Sequence, residues 1–325
     1  MNMFLEALEK ILADHCTRAD IRRIEAGGSA SVLWQHIGEA GFLDLLLAEE
    51  QGGAALPLPE LFPILQCLGR FAVPVPLAQS IVARALGGAR LPAGMVTLAA
   101  RLGRMDDTGV VCQLTPYGAT ADYVLARDGD ALLLLPCATA QREPVGDPRS
   151  LLATLRWHAP EPVLRLSEGG ERLSALAAAV AAALLSGAMQ HTFDMTLDYC
   201  NNRVQFGKSI GKFQAIQQQL SVMAEHVLAA SIAAESAFRS HGSAPSRLVA
   251  SVAKSRTSEA ASQVAATAHA IHGAIGMTDE YELGILTRRM HDWRTAYGAE
   301  GYWNRLIGAQ ILASETSLAD FVQVL

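Results

Sequence analysis

Arg203, Gln205, Phe206 and Lys208 lie in one six-residue stretch around Gly207, and Ile210, Phe213, Gln214 and Gln217 follow at once. A guanidinium can fork onto phosphate oxygens, and an aromatic ring can cover a flat heterocycle. A second cluster, His272-Gly273-Ala274-Ile275-Gly276, supplies small residues whose backbone N–H groups can approach a pyrophosphate closely. Each cluster alone also reads as ordinary helix capping, with a basic residue or a glycine at a helix end. Together they point to a bound nucleotide cofactor.

Helices and turns must hold these groups in place. In the first part of the chain Phe4, Leu5, Leu8, Ile11 and Leu12 recur at helical spacing, as do Leu61, Ile64, Leu65 and Leu68. Gly and Pro punctuation at Gly52-Gly53, Pro57, Pro59, Pro74 and Pro76 separates the helices, which predicts a helical domain over 1–95. Short apolar runs then alternate with turns: Met95–Ala99, Val110–Leu114, Tyr123–Ala126, Ala131–Pro136 and Pro162–Leu166. Asp128-Gly129-Asp130 is a hairpin signal between two of them, so a small β domain is expected over 96–168. Long periodic stretches at about 171–202, 213–240, 245–272 and 294–317 predict a four-helix bundle over 169–325. The fold class is therefore mainly α with a small β domain, ordered helical, β, helical.

The 325 residues are half hydrophobic, enough for a large core. Net charge is −6, with 26 Lys+Arg against 32 Asp+Glu and no basic run of five, which argues against nucleic acid as a partner. Five cysteines without Cys-x-x-Cys spacing predict neither a disulfide framework nor a zinc site, and reduced thiols in a cytoplasm are expected. His269 and His272 stand three apart with no third ligand in a suitable place, so no metal is expected. Glu6, Glu9 and Lys10 interrupt the N-terminal apolar residues, which is unlike a secretory signal. Leu173–Met189 is apolar but short and alanine-rich, which favours a core helix over a membrane span. A nicotinamide Gly-x-Gly-x-x-Gly and a phosphate-binding Gly-x-x-x-x-Gly-Lys are both absent.

These motifs resemble the acyl-CoA dehydrogenase family. Arg203-x-x-Phe206-Gly207-Lys208 with Phe213-Gln214-x-x-Gln217 is similar to one family segment, and the His272-Gly273 turn to another. Trp34, Gly41-Phe42 and Ala48-Glu49-Glu50-Gln51-Gly52-Gly53-Ala54 are similar to a third, near the start. The resemblance implies flavin adenine dinucleotide as cofactor, an acyl-CoA thioester as substrate and an electron-transferring flavoprotein as acceptor. It also implies that Arg203, Gln205 and Phe206 meet the pyrophosphate and adenine of a flavin held by a neighbouring subunit, in a homodimer or homotetramer. Ile210, Phe213, Gln214 and Gln217 belong to the same clasp, and His272, Gly273 and Gly276 to the second turn. Ala270 and Ala274 stand where the family commonly has Gln and Gly, which implies fewer contacts from that turn.

The family's reaction needs a carboxylate to take the α proton of the thioester while the flavin takes the β hydride. The resemblance offers two places for it. Thirty residues before Gly207 the count lands on Ala177, whereas Glu300-Gly301 stands eight residues after Asp292, as the second place requires. Counts from Gly276 and Arg305 fall instead on Tyr297 and Gly298. Glu300 is the candidate base, with Asp292 and Glu280 as alternatives. The middle segment Leu114-Thr115-Pro116-Tyr117-Gly118-Ala119-Thr120-Ala121-Asp122 departs from the family's flavin-packing motif, and Trp157 stands alone. That departure fits an alternative: a non-catalytic small subunit that completes the cofactor site of a longer homologous partner in a heterotetramer.

Overall fold

Leu8 and Leu12 share one buried face of helix α1 (Met3–His15), as their spacing predicts. Helix α2 (Arg18–Glu25) opens on a capping box in which Thr17 and Asp20 satisfy each other's backbone N–H groups. Helices α3 (Ser31–Glu39), α4 (Leu58–Arg70) and α5 (Leu77–Gly87) complete the first part. The computed structural model describes residues 3–105, 108–240, 242–315 and 317–323.

Eight strands follow: β1 (Val96–Ala99), β2 (Gly103–Arg104), β3 (Gly109–Thr115), β4 (Tyr123–Asp128), β5 (Ala131–Pro136), β6 (Gln141–Pro144), β7 (Ala153–His158) and β8 (Leu164–Leu166). They form two four-stranded sheets, ordered β1-β4-β5-β8 and β2-β3-β7-β6. Among the described residues only the β1–β4 pairing in these sheets is parallel. The Asp128–Ala131 register closes the expected hairpin on a two-residue turn, with Gly129 at φ +66°. Side chains alternate across a strand, so Leu133 and Leu135 of β5 pack between the sheets, while Leu132 and Leu134 join the helical core. Trp157, on β7, is buried between the sheets and donates its indole N–H to the Pro136 carbonyl at 2.9 Å.

The central helix is α6 (Gly170–Asn202), 33 residues long. It is long and apolar enough to cross a membrane, yet 89% of its most apolar window is buried inside this protein. Its small residues let neighbours approach to backbone contact: a Cβ on Gly187 would meet the Gln66 carbonyl of α4 at 2.0 Å, and one on Gly69 of α4 would meet the Leu184 carbonyl at 2.1 Å. After α6 comes a small hairpin of β9 (Val204–Gln205) and β10 (Lys208–Ser209), then α7 (Gln214–Ser236) and α8 (Arg247–His272). The expected fourth stretch at 294–317 is not one helix. Helix α9 (Leu283–Thr295) ends first, Tyr297 and Gly298 turn at φ +60° and +104°, and α10 (Glu300–Ala313) then runs separately. A short helix, α11 (Leu318–Gln323), closes the described chain.

Candidate functional site

The Cys200 and Ile210 side chains, one at each root of the β9–β10 hairpin, pack with Leu220 of α7 and Ile271 of α8. This apolar knot fixes the hairpin to the bundle and brings the C-terminal end of α8 beside it. Ile210 is therefore an anchor, buried beneath the surface. Above it Arg203, Gln205, Phe206 and Lys208 are exposed. Among the described residues no ion pair engages the Arg203 guanidinium.

Phe206 and Gly207 form the hairpin tip at φ +53° and +79°, the positive values a type I′ turn requires. Asn-Gly is the favoured pair there, and a phenylalanine is strained in that conformation. Phe206 is nonetheless 92% exposed. Its ring stands edge-on to Phe213 at 6.2 Å, and the Lys208 ammonium lies 4.3 Å from the centre of the Phe213 ring. Gln217 is committed to local structure, donating its side-chain N–H to the Gly211 carbonyl at 3.0 Å, while Gln214 opens α7 exposed. A strained, exposed aromatic residue contributes little to the packing of its own chain.

His272 is buried, with its ring stacked on Tyr199 at 4.4 Å and tilted against Tyr281 at 5.0 Å. Its Nδ1 bonds the Ala268 carbonyl at 2.8 Å and its Nε2 has no partner. Burial lowers its pKa, so the imidazole is held neutral. Gly273 turns at φ +63° with open space where a Cβ would be, whereas a Cβ on Gly276 would meet His272 at 2.9 Å. One glycine thus leaves its outward face open and the other packs the turn. Arg149 and Asp279 pair at 2.6 Å, and Arg18 and Glu282 at 2.5 Å, so the segment after the turn is tied to distant parts of the chain. The tyrosines and these clamps carried no sequence signal, because their partners lie far away along the chain.

Glu300 is the first residue of α10, and its carboxylate is held by the Arg294 guanidinium through both oxygens. That bond is the main reason its pKa is lowered. Nearby, Lys254 of α8 is fully buried and donates to Ser258 Oγ, the Arg294 carbonyl and the Gly298 carbonyl at 2.8, 2.8 and 3.1 Å. Asp292 accepts from Ser150 at 2.8 Å, and burial raises its pKa. Glu280 is exposed in the turn before α9, and Ala177 is buried in α6. In the middle segment Tyr117 is buried and donates to the Val73 carbonyl at 3.2 Å, while Asp122 accepts from the Met95 N–H at 2.8 Å. Those groups serve the chain's own packing.

The chain is thus ordered helical, β, helical, and it projects a cation and an exposed ring from the hinge between two bundle helices. Residues 171–312 match the acyl-CoA dehydrogenase C-terminal domain. Acyl-CoA dehydrogenase IpdE2 of Mycolicibacterium smegmatis is 31% identical over 263 residues, covering 80% of this chain and 81% of that protein. The protein of the same name from Mycobacterium tuberculosis is 30% identical over 294 residues, covering 89% and 90%. In fold the chain is similar to one from the ChsE4-ChsE5 complex of Mycobacterium tuberculosis, with TM-score 0.82, 20% identity and coverage of 96% and 97%. The chain belongs to the acyl-CoA dehydrogenase family.

Proposed function

We propose that this chain is the small, non-catalytic subunit of a heteromeric acyl-CoA dehydrogenase, and that its β9–β10 hairpin completes the flavin site of a longer homologous partner. The observation that carries this reading is the hairpin itself. Arg203 at its base, Gln205 on its first strand and Phe206 at its strained tip are all exposed, free to meet a diphosphate and an adenine on another subunit. Gly273, with its outward face open, would approach the same diphosphate. The residues thus fit the pyrophosphate and adenine half of flavin adenine dinucleotide. They fit the ring half poorly, since Tyr117 and Asp122 are spent on internal bonds. When bound, the flavin would accept the hydride from the β carbon of an acyl-CoA, and an electron-transferring flavoprotein would reoxidise it. The five free, buried cysteines suit a reducing cytoplasm.

Proton abstraction is assigned to the partner for an electrostatic reason. A base working on a weakly acidic α carbon needs a raised pKa, and Arg294 pulls Glu300 the other way. A second reading keeps Glu300 as base, since its side chain is part-buried and stands at the family's spacing from Asp292. Spectra and turnover separate the two. The purified chain alone is expected to be colourless and inert towards acyl-CoAs. Co-expressed with a longer homologous subunit it should give a yellow, active complex that keeps its activity with Glu300→Gln and loses flavin with Arg203→Ala. A yellow, active homo-oligomer disabled by Glu300→Gln would overturn the small-subunit reading and establish the second.

A further inference from the structure

The Ala48–Ala54 segment takes no part in the hairpin site. Ala48 at its start and Ala55 just past its end lie instead on the rim of a cavity of about 510 Å³, on the side of the molecule where the α3–α4 loop meets the start of α6 and the α7–α8 loop. The rim is preformed. Ala54, Ala55 and Leu56 donate their backbone N–H groups to the carbonyls of Asp44, Leu47 and Leu45 at 3.2, 2.7 and 2.8 Å, so the loop is laced to itself. Leu46, Leu56 and Leu58 give the cavity an apolar wall, which Ala85 of α5 extends.

Arg172, in the first turn of α6, is the one charged residue among the described residues lining this space. Its Nε is shielded from solvent and has no hydrogen-bond partner, and among the described residues no carboxylate pairs with it. A shielded guanidinium nitrogen without an acceptor is costly, because its N–H has given up water and gained no partner, while the half-exposed remainder of the group stays within reach of a ligand. Its neighbour Glu171 does not help, being drawn away to Arg127 and Arg247. Ser243 adds a hydroxyl on the same lining.

We infer that this cavity binds an amphipathic monoanion, an apolar body ending in one carboxylate, with the carboxylate on Arg172 and the body against Leu46, Leu56 and Leu58. The volume lies within the range of about 300–1,000 Å³ that drug-sized ligands occupy. A phosphate or a polyanion is a poor match, because one cation among apolar walls would leave most of its charge unpaired. The site lies apart from the hairpin and does not depend on the subunit reading.

Isothermal titration of the full-length purified protein with decanoate and with decan-1-ol tests it. Decanoate is expected to bind at least tenfold more tightly than the alcohol, which has the same chain and no charge. Arg172→Met, which keeps the apolar stem, should remove that preference and leave the alcohol unaffected. Ala85→Trp, which fills the space, should abolish both. Equal affinity for acid and alcohol in the unmodified protein, or no heat with either at millimolar concentration, would overturn the inference without relying on any variant. So would a decanoate affinity unchanged in folded Arg172→Met and Ala85→Trp proteins, since the acid would then be binding elsewhere.

Discussion

At the scale of single residues, Lys254 shows how an enclosed charge shapes this molecule. Its ammonium ends in three acceptors, among them one carbonyl from the last turn of α9 and one from the turn that separates α9 from α10. Burial, the largest influence, lowers its pKa from 10.5 to about 7, against an opposing pull from Glu300. The unfolded chain therefore binds this proton more tightly than the folded one between those two values. Stability must rise as pH climbs through that window, and be flat in this contribution below it. Denaturant unfolding of the wild type and of Lys254→Met, compared from about pH 7 to 10, checks the sign. The wild type should gain on the variant as pH rises, and two parallel curves would show that Lys254 does not titrate in the folded state. Arg294, which delivers one of the carbonyls, also binds Glu300 through its side chain, so the candidate base and the buried lysine share one support. The sequence made Glu300 legible through its spacing from Asp292. It concealed the ion pair, because an arginine six residues away reads equally well as solvated.

The hairpin raises the same question at the scale of elements. Its chemistry was visible as residue types, yet its shape was not, since Phe-Gly is not among the pairs that mark a two-residue turn. Under the proposed function, a contribution to flavin binding accounts for an exposed ring in the left-handed position there. Phe206→Asn should accordingly stabilise the isolated chain by about 1 kcal/mol, by relieving the backbone strain. The same change should weaken flavin retention in the assembled enzyme roughly tenfold, as loss of an aromatic stacking partner does. Thermal melting of the chain and flavin release from the complex read the two effects separately. Greater stability with unchanged flavin retention would strip the strained tip of its functional meaning. The α9–α10 break was hidden for a related reason: Tyr297 at φ +60° is a conformation that no β-turn composition announces.

Across the whole molecule, what could be read in advance was local and what could not was long-range. Helical periodicity in α1 and α4 and the Asp128–Asp130 hairpin depend on neighbours in the chain, and they appear where the pattern placed them. The parallel β1–β4 pairing and the ion cluster at Glu25 depend on contacts that no pattern encodes. Glu25, at the end of α2, reaches Arg288 and Arg289 of α9 at 2.9 and 3.0 Å, and Arg289 in turn approaches Asp292, which Ser150 holds. One carboxylate thus ties the first helices to the last part of the bundle, with the segment between β6 and β7 bonded alongside. The largest apolar cluster spans the same distance, since α1, α4, α6 and α9 contribute to it and Leu98, Leu125, Leu132 and Leu134 bring the first sheet against it, beside a smaller cluster between the two sheets. Such a molecule should unfold in a single transition despite its three textures. Glu25→Ala would leave two guanidinium groups short of their buried partner, and about 3–5 kcal/mol of stability should be lost. Urea unfolding should show this as a lower midpoint with an unchanged slope, because the same surface is still exposed in one step. A second transition appearing in the variant would mean instead that this ion cluster, and not the shared core, couples the two ends of the chain.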